Sequence, residues 1–205
     1  MIISYNYFGY FSLRKVNMMD SNKERILIAT IKLFNEKGLK FTMDDIAAEL
    51  KISKKTIYQI FKDKESMFLH MVDYCFDAIK ESEKVIIDSV ELSTTDKICR
   101  ILGVLPEGYR NVDFRKLYVL KEQYPNIYKK VEQRLETGWE PTIRLIEQGI
   151  REGVIRPVNI CVFKTMFEAT IEQFFRRDVL IVNDIEYEQA LNEVVSILVD
   201  GIKVK

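Results

Sequence analysis

Residues 41–64 read FTMDDIAAELKISKKTIYQIFKDK, and the fold turns on how this stretch is read. Ile46, Ala47 and Leu50 recur at the spacing of one helix face. Thr42 stands ahead of them as an N-cap, with Asp45 three residues on, close to a capping box. Ser53 opens a second helix whose inner face is Ile57, Ile60 and Phe61. That leaves Lys54, Lys55, Thr56, Tyr58, Gln59 and Lys62 mostly outside. Residues 51–64 hold five lysines and one acid, Asp63, an excess of +4 in a chain whose formal net charge is +0. A short second helix with a cationic, hydrogen-bonding outer face is what the DNA major groove accepts.

Outward from this stretch, the composition narrows the field. A chain of 205 residues, 47% hydrophobic and 30% charged, can bury a sizeable core in one domain or two small ones. Acids and bases number 31 each, so attraction to a polyanion must be local. Eight glycines and four prolines favour long helices over many turns. Cys75, Cys99 and Cys161 are odd in number and widely spaced in apolar surroundings, which reads as reduced core thiols in a cytoplasmic protein. No apolar run approaches the roughly 18 residues a membrane span needs. His70 is the only histidine and has no Glu three residues ahead of it, which excludes a di-iron bundle; a structural or half-exposed role is expected of it. No phosphate-binding glycine loop, nucleophile elbow or zinc-ligand cluster is present, so an enzyme, a cofactor and a metal are not expected.

Residues 1–19 are set aside as an extension, with Met18 or Met19 as an alternative start; an arm packing on the body or on DNA is the other reading. Ser21 to Glu24 forms a capping box for a first helix that Gly38 closes. Asp63 caps a helix reaching about Val90, long enough to leave the small N-terminal bundle and enter a second one. Thr94 or Thr95 caps a helix through Leu102, and residues 113–124 form another. Residues 126–151 read as one long helix, bent near Gly138 or Pro141. Residues 153–157 connect it to an apolar helix at about 158–179, and Asp184 caps the last helix.

From Ile26 to Phe68 the chain resembles the TetR family of bacterial transcriptional regulators. The resemblance is carried by Leu33-Phe34, Lys37-Gly38, Thr42, Asp45-Ile46-Ala47, Ser53, Thr56-Ile57-Tyr58, Phe61 and Lys64-Glu65, all in register over about a fifth of the chain. Lys51 and Lys55 stand where the family usually has glycine, and Asp63 where it often has serine; at Lys51 a left-handed residue other than glycine costs about 1–2 kcal/mol.

The resemblance implies an all-α fold. Residues 20–66 are then a three-helix helix-turn-helix DNA-binding domain, and residues 67–205 a helical bundle for ligand binding and dimerisation. Lys54, Lys55, Thr56 and Gln59 are candidates for base edges. Tyr58 and Lys64 resemble the family's phosphate clamps, and Thr42, Met43 and Ser53 complete the expected DNA-binding set at the helix starts. A homodimer through about 158–179 and 184–203 would present two reading heads roughly 34–36 Å apart to palindromic double-stranded DNA. A small hydrophobic or amphipathic effector would occupy a cavity near Cys99, Phe114, Tyr118, Trp139, Phe167 and Thr170, with Arg144 and Glu168 nearby, and repression is the family's usual mode. The alternative is a helix-turn-helix protein without a small-molecule ligand, acting through a protein partner.

Overall fold

The computed structural model describes residues 18–106 and 120–204; Phe114, Tyr118 and most of residues 1–19 lie outside them. These described residues are helical and contain no strand, only one isolated bridge between Ile155 and Lys203. Helix α1 spans Met18–Lys37, so Ser21 lies inside its first turn rather than ahead of it, a correction to the expected capping box. A single 3-10 turn, Gly38–Lys40, carries the chain to α2, Met43–Leu50, and α3, Lys54–Tyr58. Helix α4 then runs over Lys64–Asp88, close to the expected length.

The N-terminal bundle forms because each of these elements has one apolar side and a start signal. Ile26, Phe34, Phe41, Ile46, Ile57, Phe61, Met67 and Phe68 are all at most 1% exposed. Phe68 is the hub: its ring lies 6.1 Å from Phe34 and 5.5 Å from Phe41. Burying each such side chain contributes about 1.5–3 kcal/mol, which is what a three-helix unit of this size depends on. Ile60, expected inside, is only half-buried, because α3 ends at Tyr58 and the chain turns away.

The second bundle departs from the sequence reading in several places. Helix α5, Thr94–Leu102, is capped by Ser93, whose hydroxyl accepts from the Asp96 N–H at 3.1 Å, not by Thr94 or Thr95. Of the helix expected over 113–124, the described part is α6, Leu120–Gln123. The long helix expected over 126–151 is two helices, α7, Pro125–Glu136, and α8, Glu140–Arg151. The chain breaks rather than bends there, because Gly138 sits at φ 76°, a left-handed conformation no α-helix contains. Helix α9 is Ile160–Arg176, α10 is Val179–Val182 and α11 is Tyr187–Asp200. Asp184 is not the cap of α11: it occupies a turn at φ 52°, and Glu186 precedes the helix. Cys161 is exposed on α9, against the expectation of a core thiol, whereas Cys75 and Cys99 are half-buried; none of the three forms a disulfide.

Packing runs α4 against α5 and α7, α5 against α8, and α11 against α9 and α5. The connector returns along the C-terminus, Arg156 N–H donating to Ile202 at 2.9 Å and Val204 N–H to Val154 at 3.1 Å. Helix α4 belongs to both bundles, so anything that tilts it tilts α1–α3 with it.

Candidate nucleic-acid interface

The start of α2 is built as read. The Thr42 hydroxyl accepts from Asp45 N–H at 3.2 Å, and Asp45 takes the Thr42 N–H at 2.7 Å and its hydroxyl at 2.9 Å, a complete capping box. Lys37 adds an ion pair to Asp45 at 2.6 Å. Lys37 and the Thr42 groups together hold the Asp45 carboxyl down to about 2. Thr42 remains exposed at the helix start, where free N–H groups point outward.

The turn into α3 hinges on Lys51, which adopts φ 55°, ψ 43°. Its N–H reaches the Ala48 carbonyl at 3.2 Å, and the Ile52 N–H reaches Ala47 at 3.0 Å, the bonding of a Schellman cap. Ser53 then caps α3, accepting from Thr56 N–H at 3.2 Å. The Ser53 and Thr56 hydroxyls also bond each other at 3.0 Å, so both are partly spent locally.

The expected DNA-facing residues separate into groups. Lys55 and Tyr58 of α3 and Gln59 at its C-cap are exposed, Tyr58 by 50%. Lys54 is exposed but pairs with Asp44 of α2 at 2.6 Å, an ion pair that sequence spacing did not reveal. The side chain of Met43 is buried, 8% exposed, so the expectation that it faces DNA is corrected; only its backbone can. The Lys64 ammonium is engaged inside the protein. It donates to the carbonyls of Leu39 at 2.6 Å and Phe41 at 2.5 Å, and lies 4.2 Å from the Phe41 ring centre. Burial holds its pKa below the ordinary lysine value. Of the five lysines in 51–64, Lys51, Lys55 and Lys62 are thus the exposed ones without an ion pair among the described residues. His70 is exposed beside this head, its ring 5.6 Å from Phe61, with its pKa lowered by desolvation and then by Lys23.

The family model for bacterial regulatory proteins of the tetR family matches residues 26–71. An HTH-type transcriptional regulator of Bacillus subtilis, YvaF, is 26% identical over 179 residues, 87% of this chain and 94% of that protein. Over residues 26–71 the chain is thus similar to regulators of the tetR family. IcaR of Staphylococcus aureus, a negative transcriptional regulator of the biofilm operon icaADBC, is 41% identical over 56 residues, 27% of this chain and 30% of that one. The crystal structure of the Bacillus subtilis regulator FadR in complex with stearoyl-CoA shares the fold at TM-score 0.61 and 18% identity, covering 87% of this chain and 98% of that one.

The second bundle holds a partly open cavity of about 100 Å³ between α4, α5, α7, α8, α9 and α11. Trp139 and Phe167 line it as expected, their rings 5.5 Å apart and nearly perpendicular. Cys99 and Thr170 do not: the Cys99 thiol is half-buried on α5, its pKa pushed up by burial, and the Thr170 hydroxyl donates to its own helix at Met166, 2.7 Å. Arg144 is exposed, and Glu168 lies near Lys164 at 3.4 Å. The sequence reading missed Lys80 and Glu83, which line the cavity from α4 and look in sequence like an ordinary solvated i,i+3 pair. Among the described residues no cluster of His, Cys, Asp and Glu could hold a metal ion, and no helix is long and apolar enough to cross a membrane.

Proposed function

We propose that the chain is a ligand-responsive repressor that binds palindromic operator DNA as a homodimer, with residues 20–66 as reading head and 67–205 as effector and dimer domain. The observation that carries the DNA reading is the α2–α3 pair itself: two capped helix starts at Thr42 and Ser53 flank one exposed face of Lys55, Tyr58 and Gln59. Helix starts and Tyr58 suit phosphates, which set register, whereas Lys55 and Gln59 suit guanine and adenine edges, which set sequence. Lys54 joins them once its exposed pair with Asp44, worth about 0–1 kcal/mol, opens.

Dimerisation is supported by apolar side chains left open on α9 and α11: Val162 at 54%, Met166 at 53% and Ile197 at 64%. One short recognition helix makes few base contacts, and a two-fold pair doubles them. A negative regulator among the relatives of the reading head supports repression, and a fold relative holding an acyl ligand supports an apolar effector. The experiment is selection of bound sequences from a random DNA pool. Inverted half-sites, with binding weakened and the salt slope nearly unchanged by Tyr58→Phe combined with Thr42→Val, are the expected result. Recovery of no sequence, or of single unpaired half-sites, refutes the proposal.

A further inference from the structure

Resting on the effector reading above, we infer that the cavity takes a small lipophilic amine, whose ammonium replaces that of Lys80 on the buried carboxylate of Glu83. Glu83 is 7% exposed, yet it faces the cavity. Among the described residues its carboxylate has one donor group, the Lys80 ammonium, at 2.9 and 3.0 Å. A carboxylate that far from water demands a cation, and burial already pushes its pKa up. The two partners are not equally fixed. The Glu83 side chain is only 9% exposed, whereas the Lys80 side chain is 36% exposed on a flexible four-carbon stem and can swing outward. The lasting charge of the cavity is therefore negative.

The rest of the wall agrees with a cationic head on an apolar body. Phe76, Trp139 and Phe167 supply aromatic surface that buries hydrocarbon, and the Phe76 and Trp139 rings already carry cations, Arg134 at 5.5 Å and Lys164 at 5.9 Å. Arg134, the other cation on the wall, is committed to Asp77 at 2.6 Å and Asp73 at 3.3 Å, so an acid would find no free guanidinium. It would also set a second carboxylate beside Glu83. The cavity of about 100 Å³ is smaller than the roughly 150 Å³ that holds benzene in an engineered core, so entry of an aryl amine needs the space Lys80 vacates. Lys80 also donates to the Gly138 carbonyl at 3.0 Å, and a Cβ at Gly138 would meet its Cε at 3.0 Å. Its departure therefore unties α4 from the break between α7 and α8.

Trp139 is the only tryptophan, so its fluorescence in the full-length protein reports occupancy directly. The probes are 2-phenylethylamine, 2-phenylethanol and phenylacetate. The amine is expected to bind about tenfold or more tightly than the alcohol, the contribution of a charge-assisted bond, with phenylacetate weakest. Glu83→Gln is expected to erase the preference for amine over alcohol, and Lys80→Met to tighten amine binding by removing its competitor. Equal binding of alcohol or acid, or a preference that survives Glu83→Gln, overturns the amine assignment while leaving an effector cavity in place. No response of Trp139 to any of the three overturns both. If Glu83→Gln does not fold, Lys80→Met decides: tighter amine binding supports the assignment, and unchanged or weaker binding refutes it.

Discussion

Replacing Lys51 with glycine should make the protein more stable, which is unusual for a substitution inside a DNA-reading motif. Lys51 sits at φ 55°, ψ 43°, between α2 and α3. For a residue with a Cβ this conformation costs about 1–2 kcal/mol. It persists because the cap it forms satisfies the end of α2, through the bonds to Ala48 and Ala47. Glycine removes the strain and keeps both bonds, since they are made by backbone. Against this stands the greater freedom glycine has in the unfolded chain, about 0.5–1 kcal/mol. The net is a gain of about 0.5–1 kcal/mol, or a rise in melting temperature of about 1–4 °C for a chain of this length.

The assay is thermal unfolding at fixed protein concentration, with Lys51→Ala as control, because alanine keeps the Cβ and removes only the charge. Lys51→Ala should melt near the parent, and Lys51→Gly above both. Equal melting of the glycine and alanine variants would refute the strain argument. The same two variants also test the charge. If Lys51 faces a phosphate, both lower the salt slope of DNA binding by about 0.9, irrespective of their difference in stability.

Three further outcomes follow from the same geometry. Lys64→Met should cost about 1.5–3 kcal/mol in chemical denaturation, because the Leu39 and Phe41 carbonyls lose a charged donor, and it should leave the salt slope nearly unchanged; a slope lowered by about 0.9 with unaltered stability would restore Lys64 as a phosphate clamp. Met166→Glu with Ile197→Glu should shift the protein to monomer in sedimentation while retaining its helical circular dichroism, and an unchanged oligomer would move the dimer face elsewhere. Asp45, lowered from 3.8 to about 2 in the folded protein, adds stability above its unfolded pKa that is lost as the pH falls through the folded value. Asp45→Asn should therefore flatten the fall in stability between about pH 4 and pH 2, and an unchanged acid limb would count against the capping-box charge.

What could be read from the sequence, and what could not, follows the range of the interaction involved. Thr42, Ser53 and Asp63 were legible as caps because capping is settled within three residues, and each accepts the bond its position predicts. Ile57, Phe61 and Phe68 were legible as core from helical spacing alone. The break at 137–139 was not, because the apolar period of α7 continues into α8 and only the backbone at Gly138 separates them. Lys54 and Lys64 show the same limit from the other side. Spacing puts Lys54 outside and the resemblance makes Lys64 a phosphate clamp, yet one is paired across the turn to Asp44 and the other is drawn in by carbonyls 23 and 25 residues away. In the cavity, aromaticity picked out Trp139 and Phe167, whereas the burial of Glu83 depends on the helices packed around α4 and leaves no mark on the local pattern.

The link between cavity and reading head rests on contacts of two strengths. Helix α4 is continuous from Lys64 to Asp88, so Lys80 and Glu83 share a rigid rod with Phe68, the hub of the head. Helix α7 runs beside it and begins at the head, where Asn126 donates to Glu65 at 2.8 Å and Tyr124 lies 6.0 Å from Phe68. Along its length it is held to α4 by Lys130 and Arg134 on Asp73 and Asp77. Such partly exposed pairs are worth about 0–1 kcal/mol each, whereas each buried aromatic of the head contributes several times that. The seat of α7 on α4 also contains the buried Ile127 and Val131, so a tilt of α4 against α7 slides that apolar contact while α1–α3 move as one body. A ligand that must reverse a two-state balance from 1:99 to 99:1 needs about 5.5 kcal/mol of differential binding. On the reading proposed above, it gains that by acting at Lys80, where α4 meets the end of α7, and it leaves the geometry of Lys55, Tyr58 and Gln59 within each head intact. Effector release of DNA then works by changing the spacing of two unaltered heads, not by unmaking either one.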